Sequence, residues 1–155
     1  MTKIPKIIHQ IWTQGCDKIP EKYHKYIDGW KSIKDYQYMC WSDDTIKELL
    51  RNYDESLIQV YDYFTLPQQR SDFGRCLLLY LFGGFYIDID IEAGNLSLDS
   101  LLEKGDFVIS SGGEYANVVM IGFMGSVPNN PIFKDAIDHI RKSYKREFYE
   151  IIDMM

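Results

Sequence analysis

No window of this sequence approaches the ~20 consecutive apolar residues that a bilayer-spanning helix needs, and its start shows no signal-peptide pattern. Basic charge is short as well: 17 Lys and Arg against 23 Asp and Glu leave a net charge of −6. Nonspecific nucleic-acid binding runs on an excess of Lys and Arg, so nucleic acid is excluded as a partner on that ground. A small phosphorylated ligand is not excluded, because one metal ion and one arginine can meet its charge locally. Cysteine is scarce too. Cys16, Cys40 and Cys76 are odd in number and lack metal-ligand spacing, so they read as reduced thiols of a cytoplasmic protein. Repeats, low-complexity runs, linkers and a GxGxxG phosphate loop are all missing.

What is present is an ordinary globular composition, 46% hydrophobic and 26% charged over 155 residues, enough for one domain with a real core. Residues 6–12, "KIIHQIW", alternate as a strand. Pro20 opens a helix over 21–33, and "YQYMCWS" (36–42) reads as a second strand. Asp43 or Asp44 is placed to cap a helix running to about Tyr53, with a shorter helix over 54–63. Pro67 starts a helix over 67–82 that Gly83 and Gly84 stop. "FYIDI" then reads as a strand. "DFVIS" (106–110) and "NVVMIGFMGS" (117–126) follow as strands around a Gly112-Gly113 turn, and Asn130-Pro131 begins a last helix running nearly to the end. Strands alternating with helices predict an α/β fold with a largely parallel sheet.

The 67–82 helix leads to the chemistry. Positions 76–82 are apolar all round, the mark of a helix buried on all sides, yet Arg70, Asp72 and Arg75 sit in its first turns. Asp72 and Arg75, three apart, share one side, and an intrahelical ion pair accounts for them equally well. After the glycines comes "FYIDIDIEA". In an extended strand Asp88 and Asp90 share a face while Ile87, Ile89 and Ile91 cover the other. Ligands of open α/β sheets bind where strands end, and two carboxylates there call for a hard divalent cation such as Mg²⁺ or Mn²⁺. Glu92 falls on the same face and reads equally well as a solvated loop residue. With 15 aspartates in the chain, about one or two Asp-x-Asp triplets arise by chance, so the signal lies in the setting and not in the triplet.

That setting resembles a known family. "RSDFGRCLLLYLFGGFYIDIDIE" is similar to the signature R-S-D-x-x-R-x-x-x-L-Y-x-x-G-G-x-Y-x-D-x-D of the DXD-containing glycosyltransferases. Arg70, Ser71, Asp72, Arg75, Leu79, Tyr80, Gly83, Gly84, Tyr86, Asp88 and Asp90 fill every fixed position. "IPKIIHQIWTQG" (4–15) looks like that family's first strand and loop, and "NVVMIGFMGSVPNNPIF" is a weaker match further on. The resemblance implies a GT-A-type, Rossmann-like mixed sheet flanked by helices, with a nucleotide-sugar-binding part over 4–95 and strands plus a helix over 106–155. It also implies transfer of a sugar from a nucleoside-diphosphate sugar, UDP- or GDP-linked, to a glycan or protein hydroxyl with retention. By that likeness Asp88 and Asp90 hold Mn²⁺ (or Mg²⁺) and through it the diphosphate. Asp72, Arg75 and Tyr86 belong to the donor site, with Arg75 also counted among the catalytic groups, and Trp12 stacks on the base.

The pattern then departs from the family, whose members continue into a Gly-Pro turn and a late histidine. His139 lies inside the last helix and reads as a surface residue. The fold is thus expected to be C-terminally abbreviated. A noncatalytic nucleotide-sugar-binding module is the alternative to an enzyme, and a homodimer across the last helix is one arrangement that supplies the missing part.

Overall fold

The computed structural model describes residues 3–112 and 115–145, with backbone alone at 115–117. Five strands form one sheet in the order β2-β1-β3-β5-β4. β1 (Ile7–Ile11) runs parallel to β2 (Gln37–Trp41) and to β3 (Gly84–Ile87). β3 then pairs antiparallel with β5 (Tyr115–Ser126), and β5 pairs antiparallel with β4 (Phe107–Gly112). The sheet is mixed, with its parallel half carrying the N-terminal strands.

β1 and β3 are covered on both faces. Side chains alternate along a strand, and β3 shows it. Phe85 and Ile87 join a cluster with Ile8, Trp30 and Leu98, while Tyr86 between them joins Phe73, Leu77, Leu78 and Leu79 on the other side. The second cluster is built on α4 (Pro67–Phe82), apolar all round in its second half, and it also takes in α2 (Asp43–Tyr53), α3 (Ile58–Tyr63) and α5 (Pro131–Ser143). α1 (His24–Lys31) packs Trp30 against the opposite face. Two polar side chains inside β1 are fully satisfied. His9 donates from Nε2 to the Gly83 carbonyl (2.9 Å) and accepts at Nδ1 from the Trp41 indole N–H (3.1 Å). Gln10 accepts from the Tyr38 hydroxyl (2.7 Å).

Gly83 and Gly84 do what the sequence predicts. Both have positive φ (64° and 95°), and a Cβ on Gly84 would stand 2.6 Å from the Ile7 carbonyl oxygen. Only glycine ends α4 this way and starts β3 hard against β1. α5 starts at Asn130-Pro131 as read, with the Asn130 side chain accepting from the Ile132 N–H (3.1 Å). It is assigned to Ser143, and the end of the predicted helix lies outside the described residues, as does Gly113 of the predicted turn.

Several expectations change. Ser42, not Asp43 or Asp44, caps α2, exchanging hydrogen bonds with Thr45. Asp43 is already inside the first turn, where its carboxylate takes Arg70 Nη1 at 2.6 Å and ties α4 to α2. The 21–33 helix is two pieces, a 3₁₀ turn at Glu21–Tyr23 and then α1. The reading of all three cysteines as reduced is overturned: Cys16 and Cys40 form a disulfide, leaving Cys76 free. Sequence spacing concealed the pair because β2 returns alongside the loop after β1, and the cysteine argument for a cytoplasmic location falls with it. Among the described residues no helix is long and apolar enough to cross a membrane.

Candidate functional site

The site lies where β1 and β3 end at their C-terminal edge. A cavity of about 400 Å³ is lined there by Trp12, Tyr23, Ser71, Arg75, Asp88 and Asp90 among others. Five residues singled out by sequence thus converge, since Tyr86 lines the same cavity.

β3 stops at Ile87, so Asp88 and Asp90 do not continue a strand. The chain turns instead, the Ile91 N–H donating to the Asp88 carbonyl (3.2 Å). The expectation that Ile87, Ile89 and Ile91 cover one face is corrected accordingly: Ile87 packs with Trp30, and Ile89 packs with Ile19 and Ile27. The carboxylates still meet in one cavity, brought there by the turn rather than by strand period. Asp88 is anchored at its backbone by its own N–H to the Gly122 carbonyl (2.8 Å) and by Gln10 Nε2 to its carbonyl (3.3 Å). Its Oδ1 accepts from the Tyr86 hydroxyl at 2.9 Å and faces Arg75 Nη2 at 3.4 Å.

Arg75 is the electrostatic centre. Its side chain is 7% exposed; Nη1 donates to the Ile121 carbonyl (2.7 Å) and Nη2 pairs with Asp72 (3.0 Å). The guanidinium carbon lies 4.5 Å from the centre of the Tyr86 ring, within cation–π range. A buried arginine needs such partners, since an unpaired buried charge costs several kcal/mol. Burial pushes the Asp88 pKa up, and Asp90 adds to this, while Arg75 and the Tyr86 hydroxyl pull against it. Asp72 is likewise raised, by burial first, with Arg75 opposing and Asp88 adding. Burial also raises the Tyr86 phenol, which therefore stays a donor.

Asp72 is set apart from the other predicted residues. Its side chain is 52% exposed, and it faces a second concavity across Arg75. This one is about 500 Å³ and apolar, lined by Phe107, Ile109, Ile121, Met124 and Phe133 along with Asp72 and Arg75. Arg75 pairs with both neighbours, so the intrahelical pair does not keep it out of the first cavity. His139 is exposed, as read, and Glu92 is exposed as well.

Trp12 sits at the mouth of the first cavity, its ring centre 6.0 Å from that of Tyr23. The Trp12 backbone N–H donates to the Trp41 carbonyl (2.9 Å), so the loop after β1 leaves the sheet at a fixed point. Sequence reasoning missed Tyr23, Gln10, Ile121 and Gly122. Tyr23 belongs to a short 3₁₀ turn with no periodicity to announce it. Gln10 carried one signal, a polar residue inside an apolar strand, and Gly122 another, a glycine inside β5.

The donor set suits one kind of metal. Among the described residues no group of three or more His, Cys, Asp or Glu side chains is placed to hold an ion. Two carboxylates on one cavity fit an oxygen-preferring cation that keeps open positions for phosphate.

Comparison with known proteins follows this geometry. The family described as "Glycosyltransferase sugar-binding region containing DXD motif" matches residues 20–108. An uncharacterised glycosyltransferase of Acanthamoeba polyphaga mimivirus is 33% identical over 84% of this chain and 53% of its own length. Inositol phosphoceramide mannosyltransferase 2 of Schizosaccharomyces pombe is 31% identical over 98% of this chain and 43% of its own. The chain spans about half the length of these relatives. Among solved structures, PaToxG glycosyltransferase superposes with a TM-score of 0.59 at 23% identity, covering 94% of this chain and 62% of that one, a likeness of fold.

Proposed function

Because the chain belongs to the glycosyltransferases whose sugar-binding region contains a DXD motif, we propose that it binds a UDP- or GDP-sugar with a divalent cation. We further propose that it serves transfer of the sugar, with retention, to a glycan or protein hydroxyl. The observation that supports this best is the convergence of Trp12, Arg75, Asp88 and Asp90 on one cavity at the strand ends.

In this reading Asp88 and Asp90 hold Mn²⁺ or Mg²⁺, which supplies Lewis-acid stabilisation of the charge that builds as the nucleoside diphosphate leaves. Trp12, with Tyr23 beside it, offers a face to the base, a contact of roughly 1–3 kcal/mol. Arg75 presents a fork fixed by Ile121 and Asp72, so it meets phosphate or sugar hydroxyls without reorganising. Asp72 contributes by holding that fork. Tyr86 keeps Oδ1 of Asp88 occupied and the carboxylate oriented.

The test is thermal shift. UDP- or GDP-sugars should raise Tm with Mn²⁺ and not in EDTA, and Asp90→Asn should abolish the shift while leaving the metal-free stability within about 0.5 kcal/mol of wild type, as for an exposed site. An equal shift in EDTA refutes the metal bridge. Turnover over hours, against stoichiometric binding alone, separates an enzyme from a binding module.

A lipid-borne hydroxyl is a second reading of the acceptor. It is supported by the apolar concavity that abuts Arg75 from the far side, and by relatives named for mannosylating inositol phosphoceramide. The hydrocarbon portion of the acceptor would lie along Ile109, Val119 and Ile132. These are exposed, so Val119→Asp with Ile132→Asp should impair transfer to a ceramide-based acceptor and leave the donor thermal shift intact. Undiminished transfer refutes it.

A further inference from the structure

Strand interiors disfavour glycine, which packs no side chain and often marks a place where another group comes close. β5 carries one at Gly122, beside the residue that follows β3. Its carbonyl accepts the Asp88 N–H (2.8 Å), and the carbonyl before it, of Ile121, accepts Arg75 Nη1 (2.7 Å). What Gly122 lacks is as telling as what it bonds. A Cβ there would stand 2.7 Å from Asp88 Oδ2 and 3.3 Å from its Cγ, too close for carbon and oxygen. The carboxylate has little room to retreat, because Oδ1 is held by Tyr86 and Arg75 and the backbone by Gly122, Gln10 and the turn.

We propose that Gly122 is a positioning residue: its bare Cα sets the orientation in which Asp88 offers its carboxylate to the cation and diphosphate. The inference rests on the function proposed above, and its structural half can be tested without a metal. Gly125, three residues along, makes the contrast. A Cβ there would strike the Phe85 ring at 2.6 Å and Val108 at 2.7 Å, so its smallness serves the core alone.

The experiment is a double-mutant cycle in EDTA, followed by calorimetric titration with Mn²⁺ in the presence of UDP or GDP. Gly122→Ala should lower Tm by roughly 3–10 °C, the range for overpacking in a chain of this size. In an Asp88→Ala background, where the clashing carboxylate is gone, at least half of that fall should disappear. Gly125→Ala should cost the same in both backgrounds. In the titration, Gly122→Ala should weaken Mn²⁺ binding tenfold or more, while Gly125→Ala leaves it near wild type. A Gly122→Ala cost unaffected by Asp88→Ala overturns the proposal, and so does an unchanged Mn²⁺ affinity where wild type binds. Should wild type itself show no Mn²⁺-nucleotide binding, the proposed function fails while the cycle still decides whether Gly122 positions Asp88.

Discussion

Replacing Arg75 by methionine tests the electrostatic account directly, because an unbranched apolar stem stays in place of the methylenes while the guanidinium and every polar contact are lost. The wild-type guanidinium is 7% exposed, bonds the Ile121 carbonyl at 2.7 Å, pairs with Asp72 at 3.0 Å and faces Asp88 at 3.4 Å. Asp72 is half exposed and can rehydrate, so its pairing is worth about 0–1 kcal/mol. The bond to the Ile121 carbonyl involves a charged donor and is worth roughly 1.5–3 kcal/mol. Asp88, 36% exposed and beside Asp90, is left with Tyr86 alone, and breaking a largely buried pair costs about 3–5 kcal/mol in all. At about 2–4 °C per kcal/mol for this chain length, Arg75→Met should lower Tm by roughly 6–20 °C. Thermal denaturation of the variant beside Asp72→Asn is the assay. If Arg75→Met costs no more than Asp72→Asn, the arginine is not the centre of the site and the reasoning fails.

Two further outcomes follow from groups around the site. Burial lowers the His9 pKa to about 4 from an ordinary 6.5, so the unfolded chain binds the extra proton first. Stability should therefore fall as pH drops from about 6.5 to 4, by around 3 kcal/mol at full effect. His9→Gln should flatten that slope in urea denaturation across this range, and an unchanged slope counts against a buried neutral His9. The raised carboxylates Asp88 and Asp72 act in the opposite sense, their contribution declining as pH rises through their folded pKa. The Cys16–Cys40 bond spans a sequence separation of 24, for which chain entropy gives about 3 kcal/mol. Cys16→Ser with Cys40→Ser should lower Tm by roughly 6–12 °C and weaken nucleotide-sugar binding, because the loop it closes leads from Thr13 and Gln14 of the cavity. Donor affinity equal to wild type refutes the second part.

Much of this arrangement is legible in the chain because strong local signals agree with one another. An all-round apolar segment, two glycines and an alternating strand specify α4, its abrupt stop and β3, and the Asn-Pro start of α5 is equally local. The setting singles out Asp88 and Asp90 but does not give their geometry: sequence period predicts an extended strand, and partner strands decide where extension ends. The parts that stayed hidden are those made by distant segments. Cys16 meets Cys40 only once β2 lies beside β1. Arg75 faces Ile121 and Asp88 faces Gly122 only once β5 folds back antiparallel, and nothing in local spacing announces either contact. Asp72 shows the reverse case, where adjacency to Arg75 hid the fact that Arg75 lines both cavities and Asp72 only the second.

β5 has 12 residues, of which only Phe123 to Ser126 pair with β3. Among the described residues its earlier part pairs with β4 and no other strand, and overhangs β3 like a beam fixed at one end. The clamp of that beam coincides with Ile121 and Gly122, whose carbonyls grip the arginine and the first acid. Any displacement of those two peptide units therefore moves together the side chains that Arg75 and Asp88 present to the cavity.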